Sequence, residues 1–174
     1  MRIVTSCPSR FHILDQAKQL HRRGILHKLI TGCPKWLTRR WNIPDERVVS
    51  LLGFGLWSLA IWKSFRFVSE QTQDALRLSI HRRFCACVEK QLRTDTDVFI
   101  GLSAFSLGAL SRARELGIYT VVDHGSLHDR LDVALQREEY EQLGLRADIN
   151  VTPEWLVEME EREFEMADRV LVPS

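Results

Sequence analysis

The sequence lacks any apolar run near the ~20 residues needed to cross a bilayer. Its opening, MRIVTSCPSR, has no apolar stretch of the secretory type. A spanning segment is excluded, and export by a classical signal is not expected. Cysteine is sparse: Cys7, Cys33, Cys85 and Cys87. Only the last two are close, and Cys-x-Cys is not the usual spacing of a zinc knuckle or a redox pair. Helix or strand geometry would strain a bridge between them. Free, mostly buried thiols in a reducing cytosol are expected. The fingerprint G-x-G-x-x-G is missing, and the loop Ser6–His12 has no glycine, so a standard dinucleotide site is not supported. There is no internal repeat, no low-complexity linker and no nucleic-acid motif. The net charge is only +1, so no nucleic-acid partner is expected.

What is present suits a globular chain. Hydrophobic residues make up 45% and charged residues 27% of 174 positions, which argues against disorder. That length fits one domain or one half of a larger enzyme. It can bury roughly two thirds of the unfolded chain's surface. The near-neutral total hides an asymmetry. Residues 1–93 carry 17 Lys and Arg against 6 Asp and Glu, a balance of +11, whereas residues 94–174 carry 7 against 17, a balance of −10. Such a split gives a basic face for an anionic partner, or two halves that attract each other within one fold.

Hydrophobic periodicity predicts alternating strands and helices. Arg2–Ser6 reads as a strand, and Phe11–Arg23 as a helix with Leu14, Ala17 and Leu20 in register and Gly24 as its stop. Leu26–Thr31 is a second strand, which completes a unit of βαβ size. Pro34–Arg47 reads as a loop with one short helix, and Arg47–Leu51 as a weak strand. Helix is expected over much of Gly53–Phe67 and on through Ser69–Leu92. Asp97–Gly101 is the clearest strand. Ala104–Leu116 is helical, Ile118–Val122 a strand, Ser126–Leu143 and Pro153–Ala167 helices, and Arg169–Val172 the last strand. The pattern predicts an α/β fold, Rossmann-like, with a mainly parallel sheet and helices on both faces. Loops after Ser6, Gly101 and Val122 would then share the carboxyl edge, where open α/β sheets bind ligands.

Four segments carry candidate chemistry. In SCPSRFH, a helix start and Arg10 can attract phosphate; the plainer alternative makes Ser9 an N-cap and Phe11 a core residue. DHGSLH places Asp123, His124, Ser126 and His128 around Gly125 at the strand's exit. Histidine there can move a proton or hold a sugar hydroxyl, or the segment is a polar loop with Ser126 as a helix cap. No third ligand has suggestive spacing for zinc, so no metal is expected. Glu160 and Glu163 share one helix face and can do acid–base work; a solvated face with Arg162 as partner is the commoner case. Finally Lys35, Trp36, Arg39, Arg40 and Trp41, followed by Trp57 and Trp62, can seat a segment on an anionic lipid surface, or form an ordinary packed helix beside a basic neighbour.

Three stretches resemble the N-terminal half of retaining glycosyltransferases of family 4, which have the two-domain GT-B fold. SRFHILDQAKQLHRRGILHKLITGCP is similar to their opening strand, loop, helix and second strand. VVDHGSLHDRLDVALQREEYEQLG resembles a subgroup that reads Glu-Arg-Gly-Ser-x-His, followed later by Glu-Glu-Tyr. EEREFEMADRVLVPS resembles a Glu-x-x-x-x-x-Ala-Asp signature before a strand ending in Pro-Ser. The likeness covers nearly the whole chain, least in residues 35–93. Gly125, Ser126 and His128 match the subgroup, whereas Asp123 and His124 replace its usual Glu and Arg. Arg10, Phe11 and His12 fit the subgroup, although the Gly-Gly of the wider family is absent from the first loop.

The resemblance implies a single domain over 1–174 on the acceptor side, with the C-terminal nucleotide-sugar domain missing or supplied separately. The implied activity is hexosyl transfer with retention from a nucleotide sugar to a glycan or lipid-linked acceptor, in cell-surface polysaccharide synthesis. No cofactor or metal is implied, and transfer by this chain alone is expected to be negligible. Asp123 and either His124 or His128 are the implied catalytic groups. Ser9, Arg10, Phe11, His12, Gly125 and Ser126 are the implied substrate contacts. A cytoplasmic location, peripheral at the inner face of an anionic membrane, is expected. The alternatives are a non-catalytic membrane-recruiting or binding subunit of a split enzyme, and an unrelated Rossmann-like nucleotide-binding protein.

Overall fold

The apolar runs between charged or glycine-containing turns form six strands: β1 Ile3–Cys7, β2 Leu26–Thr31, β3 Val48–Ser50, β4 Val98–Leu102, β5 Tyr119–Asp123 and β6 Arg169–Leu171. They are seen in a computed structural model that describes residues 1–146, 149 and 151–172. Every pairing is parallel, in the order β3-β2-β1-β4-β5-β6. This is the Rossmann-like order, and it reverses direction between β1 and β4. The α/β expectation holds, with strand limits moved by a residue or two. The largest consequence is at β5, which includes Asp123, so that carboxylate stands on the sheet rather than in the loop after it.

The helices are α1 Ile13–Arg22, α2 Lys35–Thr38, α3 Leu52–Ser64, α4 Glu70–Glu89, α5 Leu107–Glu115, α6 Asp129–Gln142 and α7 Glu154–Met166. The segment expected as mostly loop holds α2 and two single 3-10 turns, Arg39–Trp41 and Asp45–Arg47. Between α3 and α4 the chain breaks at Val68, where the backbone is extended. Ser69 then caps α4, its hydroxyl accepting from the Thr72 N–H. Gly24 and Gly117 follow α1 and α5 at positive φ, 71° and 69°. A side chain there would be strained, which is why glycine stops both helices.

Alternation along the strands fills both faces. Val4, Ile30, Phe99 and Val122 meet Phe54 of α3, Phe84 and Val88 of α4 and Leu110 of α5 on one face. Cys7, Leu29 and Leu102 meet Ile13, Leu14 and Ala17 of α1 on the other. The near-continuous burial of β1, all five residues, reflects helices on both sides. Burial also pushes the Cys7 thiol up to about 12, against the pull of its Thr31 partner. It behaves as a small apolar core residue. Two glycines allow α3 to lie close to the sheet edge. A Cβ on Gly55 would overlap the Gly32 carbonyl, and one on Gly32 would overlap the Pro8 carbonyl.

Candidate functional site

Parallel strands send all their exits to one edge, and β1 and β5 flank β4 there. The β1–α1 loop and the segment after β5 meet across this edge. His12 Nε2 lies 3.0 Å from Asp123 Oδ1, and Gln16 Nε2 of α1 donates to Asp123 Oδ2 at 3.0 Å. Asp123 is buried, and its two oxygens are held by the residue before α1 and by that helix's first turn. Gly125 packs against the same imidazole: a Cβ there would stand 2.6 Å from His12 Cε1. Gln16 was not among the expected site residues, because a glutamine on a helix gives no sequence signal for a partner 107 residues away.

His124 follows directly and is buried, with its backbone N–H donating to Leu171 O at 2.9 Å. Its Nδ1 is 2.9 Å from Ser103 Oγ, and Ser103 Oγ donates to Glu160 Oε1 at 2.6 Å. A serine has one proton to give. When that proton goes to an ionised Glu160, a neutral His124 donates from Nδ1 to Ser103 and keeps a lone pair on Nε2. That nitrogen is buried and has no partner among the described residues. Phe164 of α7 stands edge-on to the ring at 5.1 Å. A buried acceptor without a donor is costly, and a ligand hydroxyl would satisfy it.

Ser126 is exposed and does not cap α6. His128 does, its Nδ1 accepting from the Arg130 N–H at 3.3 Å, while its Nε2 stands 3.5 Å from Glu161. His124, Ser126 and His128 line one cavity of about 640 Å³ with Phe164 and Val170. The two histidines therefore differ: His128 is committed to the helix start and Glu161, and His124 has a free nitrogen. Ser9 is likewise not the cap of α1. That place falls to His12, whose side chain makes no capping bond. Phe11 is 42% exposed and is not a core residue. Ser9, Arg10 and Phe11 line a separate apolar groove beside the edge.

The glutamates of α7 correct the solvated-face expectation. Glu160 and Glu163 are buried. Glu163 accepts from the backbone N–H groups of Ala104 at 2.7 Å and Ser106 at 2.6 Å. Burial pushes its carboxyl up to about 8, against the pull of these donors. Burial raises Glu160 as well, against its Ser103 hydrogen bond. The turn they hold is strained: Ala104 has φ 66°, in the left-handed region. His81 of α4 holds it from another side, its Nδ1 2.6 Å from Ala104 O. Gly101 leaves room for the turn to fold back, since a Cβ there would overlap Ser106 Oγ. The β4–α5 turn is thus fixed between the two loops that meet at His12 and Asp123. Among the described residues, no group of three or more His, Cys, Asp and Glu side chains is placed to hold a metal ion.

No family model matches the sequence, and no curated protein does either. Among solved structures, UGT2 of Phytolacca americana complexed with UDP-2fluoro-glucose and pterostilbene is similar over 100% of this chain and 47% of its own, at 15% identity and a TM-score of 0.48. The apo form of that protein gives 14% identity and a TM-score of 0.47, with 46% of its length covered. A UDP-glucosyltransferase from Polygonum tinctorium capable of glucosylating indoxyl, in complex with 3,4-dichloroaniline, is similar over 99% of this chain and 46% of its own, at 18% identity and a TM-score of 0.46. The chain spans about half the length of these structures.

Proposed function

We propose that this chain is the acceptor-side domain of a glycosyltransferase of the retaining family 4 type. It moves a hexose from a nucleotide sugar to a glycan or lipid-linked acceptor, in cell-surface polysaccharide synthesis. One observation carries the reading. At the edge where β1 and β5 loops meet, His124 has a buried nitrogen with no partner among the described residues, and its opposite nitrogen is held by Ser103, itself bound to Glu160. Such an atom suits a sugar hydroxyl, which it orients by accepting its proton. Asp123 fixes the first loop beside it through His12 and Gln16. Ser9, Arg10 and Phe11 face the acceptor, and Gly125 and Ser126 give backbone access to the sugar. Donor contacts come largely from a second nucleotide-sugar domain, so that closing the cleft excludes water. Stabilisation of the leaving diphosphate falls to cations and backbone N–H groups, without a metal or cofactor. The working place is the cytoplasmic face of an anionic membrane.

The test begins with the coding DNA adjoining this reading frame. A Glu-x7-Glu-containing domain, fused or encoded next to it, is expected to complete the enzyme. Co-expression should then give nucleotide release from a nucleotide sugar, with the anomeric configuration kept in the product. Negligible release is expected from the purified chain alone. Robust turnover by these 174 residues without a second domain would overturn the division of labour.

A further inference from the structure

Helix α3, LGFGLWSLAIWKS, is apolar almost all round, and such a helix is normally buried. Here it is not. Leu52, Leu56, Leu59 and Trp62 are each about half exposed. The spacing puts them on one stripe, and that stripe is one wall of a groove of about 570 Å³. Trp36 of α2 and Phe105, from the β4–α5 turn, also line it. The volume is in the range of sites that bury most of a small ligand.

The groove's polar equipment is sparse and of one sign. Among the described residues, Arg10 is the only charged side chain lining it. Burial raises the pKa of the Cys33 thiol, on the groove wall, against its hydrogen bond to Thr31 and, least, against the nearby Arg10 charge. The Ser58 hydroxyl is turned back to its own helix, donating to Gly55 O at 3.0 Å. No carboxylate of the described residues lines the groove. Lys63 and Arg66, at the end of α3, are exposed and form no ion pair among the described residues. Arg10 is two residues from His12, whose ring meets Asp123. The groove and the His12–Asp123 contact thus share the β1–α1 loop.

We propose that this groove binds the apolar chain of a lipid phosphate, with the phosphate at Arg10, and that this amphiphile is the lipid part of the acceptor. The assignment deepens the glycosyltransferase reading and rests on it for the word acceptor. Binding itself needs no sugar donor. A linear isoprenoid or alkyl chain fits a long apolar wall, and one arginine suits one anionic head. A lone apolar molecule would leave Arg10 without a purpose in the groove. A bare bilayer would bury the stripe but would not need its concave shape.

The test is calorimetric titration of the purified chain with farnesyl phosphate, dodecyl phosphate, farnesol and inorganic phosphate. Vesicles of phosphatidylglycerol and of phosphatidylcholine are added in a parallel flotation. Saturable binding of one phosphate monoester per chain is expected, with farnesol weaker and inorganic phosphate undetectable. The tighter of the two monoesters identifies the chain as isoprenoid or straight. Arg10→Ala should weaken the monoesters roughly tenfold and leave farnesol unchanged. Leu59→Trp, which narrows the groove from an exposed position, should weaken all three chains; Leu56→Glu serves if that variant melts early. Absence of saturable binding overturns the proposal, as does binding that neither variant changes. Vesicle binding without monoester binding overturns it in favour of a bilayer surface. Monoester binding without any sugar transfer by the completed enzyme would leave the groove standing and remove the sugar reading.

Discussion

His12 Nε2 and Asp123 Oδ1 lie 3.0 Å apart although 111 residues separate them in the chain. That bond ties the exit of β1 to the end of β5 across the intervening strand. Gly125 guards it, since the imidazole occupies the space a Cβ would need. Gly125→Ala should therefore turn the ring away and break the pairing without unfolding the sheet. The expected loss is about 1 kcal/mol, the net worth of one partly exposed hydrogen bond. A denaturant titration measures it, and an NMR contact between the His12 ring and residues after β5 should vanish. An unchanged contact would mean that the loop has slack the structure does not show.

Glu163 makes folding stability depend on pH. Its folded pKa is about 8, above the ordinary 4.5 of an unfolded carboxyl. Between these values the folded protein holds a proton that the unfolded chain has released. The contribution to stability is full below about 4.5, declines as pH rises through the window, and is lost above about 8. Glu160, raised by burial too, acts in the same direction. Melting temperatures should fall from pH 5.5 to pH 8.5, and Glu163→Gln should flatten that slope. A slope unchanged in the variant would assign the effect elsewhere.

Removing the Glu163 side chain has a second consequence. Glu163→Ala strands the N–H groups of Ala104 and Ser106, which are buried. Each unsatisfied donor costs about 1–3 kcal/mol, so a total loss of about 2–6 kcal/mol is expected in a chemical melt. A loss below about 1 kcal/mol would mean that water reaches the turn.

Thiol reactivity should follow burial. Cys7 and Cys85 are buried, and their pKa values stand at about 12. Cys87 is partly exposed. Brief alkylation of the native protein at pH 8, read by mass spectrometry, should label Cys87 well before Cys7 or Cys85. Early labelling of Cys7 would show that β1 opens readily.

These outcomes also mark what the sequence could disclose. The parallel sheet was legible because β1, β4 and β5 are short apolar runs closed by polar or glycine-containing turns. The meeting of the first loop with Asp123 followed from that topology alone. The role of α7 was not legible. Glutamates among glutamates read as a wet surface, and only a turn 57 and 59 residues upstream supplies the donors that bury Glu160 and Glu163. Ser103 was hidden for the same reason. Ser9 and Ser126 carried the capping preference, yet His12 and His128 occupy the caps, because the loops run further before turning into α1 and α6. The half-exposed stripe of α3 stayed open between packing and a lipid surface, since apolar periodicity does not say how much of a helix its neighbours cover.

The central claim is that His124, held by Ser103 and Glu160, receives a sugar hydroxyl at the edge shared by β1 and β5. Its most direct test is the transfer rate of the completed two-domain enzyme carrying His124→Ala or, separately, His128→Ala. The account predicts a fall of about a hundredfold or more for His124→Ala and a rate within about threefold of the parent for His128→Ala, whose loss removes one helix cap. Full activity in His124→Ala together with collapse in His128→Ala would contradict it.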